Sequence, residues 1–177
     1  MKLKRKFFNR DTVVVAEELL GKYLCRKINP STGSGQVAKI IKVKITETEA
    51  YCGTKDKACH ASKGLTPRTA TMFGPPGHAY VYMIYGVYYC LNFVTEEKGN
   101  PSAVLIRGCE LVDGLSRGGE AVLRGPGKVC RELKIDKDLN GADLSKSKEI
   151  WAEDLGYKMV KIKRGKRIGV DYAGEYK

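Results

Sequence analysis

From His78 to Glu96 the chain reads HAYVYMIYGVYYCLNFVTE: Tyr80, Tyr82, Tyr85, Tyr88 and Tyr89 stand among β-branched and apolar residues, with one glycine near the middle. Such side chains suit a pleated, half-buried surface. The segment therefore predicts two strands that turn near Tyr85-Gly86. Residues two apart share a strand face, so Tyr80, Tyr82 and Ile84 point the same way. Tyr85 is different, because a hairpin cannot bury a bulky ring at its own tip. That ring either packs on another element or stands out as a wedge of the kind that enters stacked bases.

The flanking sequence predicts more strands and a few helices. Asp11 is a good N-cap for a helix over TVVVAEELL, which Gly21 ends. YLCRKI reads as a strand, NPSTGSGQ as a loop, and VAKIIKVKITETEAY as one strand or two joined by a bulge. SAVLIRGCELV is another strand, ended by Asp113-Gly114. Residues 120–123 and 128–133 carry helical patterns, and strands near 149–153 and 159–162 close the chain. Strands mixed with helices, without a βαβ rhythm, predict an α+β fold. A length of 177 residues favours one domain, 1–177. A domain of that size buries roughly two-thirds of its unfolded surface and needs no disulfides.

Lys and Arg outnumber Asp and Glu by 32 to 20, a formal net charge of +12. Polyanions are the natural partners, nucleic acid first and an anionic membrane surface second. The cations are spread along the chain, unlike a disordered basic arm. The basic start is not followed by an apolar stretch, since Asn9, Arg10 and Asp11 interrupt it, and no run approaches a membrane span. A cytoplasmic protein, or a nuclear one in a eukaryote, is expected, with no membrane partner. The six cysteines have no CxxC spacing and read as free thiols. Cys52, Cys59 and His60 could be drawn into a zinc site, but their spacing fits no usual framework. No metal and no cofactor is expected.

Candidate chemistry begins at Glu47-Thr48-Glu49-Ala50-Tyr51. On a strand Glu47, Glu49 and Tyr51 share a face and end a β-branched run beside the long irregular segment 52–76. Loops of that length in compact domains are usually functional or disordered. Taken alone, paired glutamates are more often a solvated strand face than a site. His60 sits in the loop, and a lone histidine is commonly a satisfied or surface residue. Asn92 and Arg107 interrupt apolar strands, so each either finds a partner, ends a strand or faces a cleft.

Taken in order, ETEAY, DKACHA, TPR, MFGPPGHAYVYMIYGVYYCLN, GPGKVC and RIGVDYAGE resemble the alkyladenine (3-methyladenine, or methylpurine) DNA glycosylase family. The resemblance runs from AEELLGKYL to the end of the chain. It implies that Glu49 is the general base and that Arg107 helps to hold the attacking water. It implies that Tyr51, His60 and Tyr82 stack around the flipped base, with Asn92 lining the pocket against normal guanine. Tyr85 would fill the gap in the duplex, and a backbone carbonyl, at Ile168, would touch the water. Duplex contacts carry over to Thr66, Arg68, Met72, Lys128 and Lys137. Family members usually continue past AGE with an aromatic closing strand that is not found here. The expectation is one compact α+β domain with a curved, mainly antiparallel sheet, flanking helices and a protruding tyrosine-bearing hairpin. It would act as a monomer on double-stranded DNA containing damaged purines, hydrolysing the glycosidic bond without strand-cleaving lyase activity.

Three other readings compete. A non-catalytic nucleic-acid-binding module explains the charge and the tyrosines but gives Glu49 and Arg107 no task. A helix-hairpin-helix repair enzyme would use the Gly-Val-Asp at Gly169–Asp171, but this segment reads as strand and loop. A metalloenzyme is opposed by the ligand spacing.

Overall fold

The computed structural model describes residues 1–29, 37–112, 121–157, 159 and 161–176. Its elements, in chain order, are α1 (Arg5–Phe8), α2 (Thr12–Leu19), β1 (Tyr23–Ile28), β2 (Lys39–Tyr51), β3 (Ala79–Ile84), β4 (Tyr88–Thr95), β5 (Ser102–Leu111), β6 (Val122–Arg124), α3 (Pro126–Glu132) and β7 (Ile150–Glu153). The strands form one curled antiparallel sheet ordered β3-β4-β5-β2-β1-β7, and β6 pairs with β5. β4 pairs with Ser102–Leu105 of β5, and β6 with Gly108–Glu110. The architecture is the α+β arrangement that the strand and helix pattern predicts.

The sheet separates two packed regions. Val81 on β3, Leu91 and Phe93 on β4, and Val104 and Ile106 on β5 enter the main core, which α2 and α3 cover. The alternate residues Tyr80, Val94 and Ala103 point to the other face, where they join Cys59, Ala61 and Met72 from the long segment 52–76. Period-two alternation thus builds a helix-covered core on one side and a loop-covered chamber on the other.

Local chemistry accounts for the ends of the elements. Asp11 caps α2 by accepting from the Val14 amide at 3.0 Å. At the β3–β4 turn Tyr85 and Gly86 have φ of 53° and 70°, and the Val87 amide donates to the Ile84 carbonyl at 3.2 Å. Two successive positive φ angles are what a tight primed hairpin turn requires. Glycine adopts that conformation freely, whereas Tyr85 adopts it against its own preference.

Several expectations are revised or fall outside the described residues. α1 was not anticipated, because its basic residues conceal the burial of Phe8. Residues 122–124 form strand β6 where a helical pattern was read. The edge of β5 offers pairing there, and only Leu123 turns inward, an alternation too short to see in sequence. The strand expected near 159–162 does not form at its described positions 159, 161 and 162; Lys161 and Ile162 are exposed and belong to no strand. The Asp113-Gly114 turn lies outside the described residues, as does most of the NPSTGSGQ loop.

Phe8 ties α1 to the sheet. Its ring is fully buried, 5.2 Å from Phe7 and 5.8 Å from Phe93 in edge-to-face contacts. Replacing it with alanine removes that packing and leaves a cavity. Phe8→Ala is expected to lower unfolding free energy by about 3–5 kcal/mol in urea titration; a loss below about 1 kcal/mol would show that α1 is peripheral.

Candidate active site

The site depends on two β-bulges. Ile45 pairs with Cys109, Glu47 with Gly108, and Thr48 with Ile106, so Thr46 is the extra residue on β2 and Arg107 the extra residue on β5. Each bulge reverses the alternation of its strand. Val43 and Ile45 face the main core, and an unbroken strand would send Glu47, Glu49 and Tyr51 there too. After the bulge Ala50 packs toward that core, while Thr48 donates to the Ala16 carbonyl of α2 at 2.9 Å. The glutamates and Tyr51 are turned to the chamber face. On β5 the change comes between Cys109 and Ile106, both core residues, and swings the Arg107 guanidinium toward the glutamates. Gly108 permits the approach, since a Cβ there would lie 2.9 Å from Cβ of Glu47.

Arg107 Nε donates to Glu47 Oε1 at 2.8 Å and lies 3.6 Å from Glu49 Oε1. Arg107 and Glu49 therefore converge as expected, but the direct partner of the guanidinium is Glu47, which sequence reasoning left as a solvated face residue. Glu49 is only 7% exposed. Its Oε2 accepts from the Tyr51 hydroxyl at 2.9 Å, and its Oε1 from the Ile168 amide at 3.1 Å. Ile168 reaches the carboxylate through its N–H, where its carbonyl had been expected at the water. A buried carboxylate must be satisfied by donors, and here the Tyr51 hydroxyl and the Ile168 amide bond it while the Arg107 guanidinium lies close by.

Across the sheet Glu49, Leu105, Asn92 and Tyr80 lie opposite one another on β2, β5, β4 and β3. Beside this row is a cavity of about 240 Å³ whose lining includes Tyr51, His60, Met72, Tyr82, Asn92 and Tyr172. All four residues expected to frame a base are among them. The Asn92 amide nitrogen donates to the Tyr80 carbonyl at 3.2 Å, which fixes the side chain in the floor. The rings of His60 and Tyr82 meet edge-on at 4.5 Å. His60 Nδ1 lies 3.0 Å from the Tyr80 hydroxyl. Burial pushes the Tyr51 and Tyr82 phenols well above their usual range, so both remain neutral hydroxyls. A larger crevice of about 570 Å³, bounded by α2, β2 and residues 162–168, reaches Glu47 and Glu49 from the other side.

The expected duplex contacts divide. Tyr85 is 88% exposed at the hairpin tip. Arg68, Lys128 and Lys137 are exposed. Arg68 lies over the outer face of Tyr82, 5.2 Å from the ring centre. Thr66 is half-buried in a turn, its hydroxyl 3.0 Å from that of Thr69. Met72 is placed differently: it is 2% exposed, packs against Tyr80 and the loop, and lines the cavity, so it cannot lie on a duplex surface in this conformation. Asp56, Arg167 and Tyr172 also belong to the neighbourhood and were missed. Among the described residues no group of three His, Cys, Asp or Glu side chains gathers in a metal-binding arrangement, and no helix is long and apolar enough to cross a membrane.

Such a cleft has the room and the aromatic walls for a flat ring beside a buried carboxylate. The methylpurine-DNA glycosylase (MPG) family model matches residues 6–177. A protein of Methanocella arvoryzae is 50% identical over 98% of this chain and 86% of its own length. One of Legionella pneumophila is 48% identical over 99% and 89%, and one of Desulfitobacterium hafniense 44% identical over 99% and 91%. Each is named as a candidate 3-methyladenine DNA glycosylase. The chain belongs to the methylpurine-DNA glycosylase family.

His60 gives the site a measurable signature. Burial first, then the charges of Arg68 and Lys63, push its pKa down to about 4. The imidazole is therefore neutral at neutral pH and can stack without carrying charge. Because the folded value lies below the ordinary one, the fold favours the neutral ring. That contribution is complete above about pH 6.5 and is lost as pH falls toward about 4. The His60 ring resonances are expected to titrate with a midpoint near pH 4 by NMR; a midpoint at the ordinary value, about 6.5, would place the ring in solvent.

Proposed function

We propose that this protein is a base-excision-repair DNA glycosylase that flips an alkylated or deaminated purine from the duplex and hydrolyses its N-glycosidic bond. The carrying observation is a buried carboxylate, Glu49, 3.6 Å from the Arg107 guanidinium and bonded to Tyr51 on the wall of the aromatic cavity. Family membership supports the same reading.

A glycosidic bond inside a stacked duplex is out of reach, so the nucleotide must rotate out, at a cost of a few kcal/mol. Tyr85 offsets part of that by entering the vacated space. Tyr51, His60 and Tyr82 restore stacking, worth roughly 1–3 kcal/mol per base–aromatic contact. An alkylated purine is electron-poor and often cationic, so aromatic faces favour it further. A cavity of about 240 Å³ suits one base.

At the reacting centre a water bonded to Glu49 and Arg107 attacks C1′ of the sugar. Its oxygen forms the new C1′–O bond, and the C1′–N bond breaks with its electron pair leaving on the base. The water proton passes to Glu49. The carboxylate also stabilises the positive charge that develops on the sugar, as in sugar hydrolases. Cationic bases leave without further protonation.

Two variants test the assignment. Glu49→Gln keeps the shape of the site but removes the base, so it should bind duplex DNA normally and release a methylated purine about 10²–10⁴-fold more slowly. Release at the wild-type rate would remove Glu49 from the mechanism. Tyr85→Ala should weaken flipping, read as slower fluorescence change of a reporter base beside the lesion, while thermal stability is unchanged. Flipping kinetics that do not respond would show that the exposed ring has another use.

A further inference from the structure

Arg167 is the most heavily engaged cation near the site, and the mechanism gives it nothing to do. Its two terminal nitrogens grip Asp56 at 2.6 and 2.9 Å, a two-pronged pair that is almost wholly buried. Nη1 also donates to the Ala50 carbonyl at 2.9 Å, and the guanidinium lies 4.7 Å from the centre of the Tyr51 ring. Asp56 in turn accepts from the amides of Cys52 at 3.1 Å and Ala58 at 3.0 Å. Burial works against its ionisation, but the bonds from Arg167 and from those amides prevail and hold the carboxyl below its usual range.

These contacts lie around Glu49. Ala50 and Tyr51 follow Glu49 on β2. Cys52 and Ala58 begin the loop that leads to His60. Ile168 follows Arg167 and donates its amide to Glu49 Oε1. Residues 161–166, just before the anchor, are exposed, and Arg164 Nε donates to Glu17 Oε1 of α2 at 2.6 Å only as a solvent-exposed pair, a weaker hold on the Ile168 amide than the buried fork at Arg167. A buried ion pair contributes little net stability, because the cost of desolvating both charges offsets their attraction. Stability alone is a poor reason to bury one here, and fixing the relation of two segments is a better one.

We propose that Arg167 and Asp56 are positioning residues: their ion pair pins the 167–168 backbone against the end of β2, so that the Ile168 amide and the Tyr51 hydroxyl hold the Glu49 carboxylate in a single reactive orientation. The proposal rests on Glu49 being the base. A misplacement of about 1 Å at such a centre can cost roughly a hundredfold in rate.

The test separates chemistry from folding and from binding. Base release is followed with enzyme in excess over a duplex carrying one methylated purine, affinity is measured on the undamaged duplex, and melting temperature is recorded for each variant. Arg167→Met is expected to slow release about a hundredfold with unchanged affinity. Arg167→Lys, which keeps the charge but not the fork, should fall between that variant and wild type. The paired replacement Asp56→Asn with Arg167→Met removes both charges but keeps an acceptor for the loop amides, so it should recover melting temperature but not rate. Rate recovered together with stability in the paired variant would overturn the proposal, as would wild-type release by Arg167→Lys. Should Arg167→Met fail to fold, the lysine and paired variants still decide. If the wild-type protein itself releases no purine, the glycosylase reading fails; if it does and the Arg167 variants match it, only this inference fails.

Discussion

The structure is organised around the buried carboxylate of Glu49. A carboxylate removed from water is costly unless donors replace the lost solvent, and Glu49 meets that demand with the Tyr51 hydroxyl, the Ile168 amide and the nearby Arg107 guanidinium. Each donor comes with structural requirements of its own. Arg107 reaches the site because β5 bulges and Gly108 lacks a side chain. Tyr51 faces the chamber because β2 bulges at Thr46. Ile168 is held by an arginine anchored in the loop after β2. If these requirements fail, the carboxylate loses its orientation, even if the main core persists.

The two faces of the sheet have different tasks. The helix-covered face carries most of the buried apolar residues, from Phe8 to Ile150, and supports the fold. The loop-covered face spends aromatic area on a cavity. Burial also disarms potential side reactions. The thiols of Cys52 and Cys59 are pushed up to about 11 and those of Cys25 and Cys130 to about 12, so they stay protonated and act as small packing groups. On the proposed reading His60, held neutral, serves as a ring for stacking and the chemistry falls to Glu49.

Much of this was legible in the residues. Alternation in the tyrosine-rich segment located β3, β4 and the exposed Tyr85, because a glycine turn and a bulky tip leave few alternatives. The resemblance of ETEAY and its companion segments to a glycosylase family singled out Glu49, Tyr51, His60, Tyr82 and Asn92, and all five lie at or beside the cavity. What was not legible is long-range or a matter of parity. The pattern Ile41, Val43, Ile45 continues onto Glu47 and Glu49, and only a bulge separates a core face from a site face. Glu47 and Arg107 lie far apart in sequence, as do Asp56 and Arg167, and nothing local marks either pair. Met72 was expected on the duplex, and its burial follows from how the 52–76 loop folds over Tyr80.

The most direct test of the central claim is a crystal structure of the Glu49→Gln protein bound to a duplex with a single modified purine. The account predicts the purine turned out of the helix into the cavity lined by Tyr51, His60 and Tyr82. It also predicts the Tyr85 ring in the vacated stack and one water within about 2.6–3.2 Å of residue 49 on the sugar side. A purine still stacked in the duplex, or one turned out onto another surface with residue 49 far from its sugar, would contradict it.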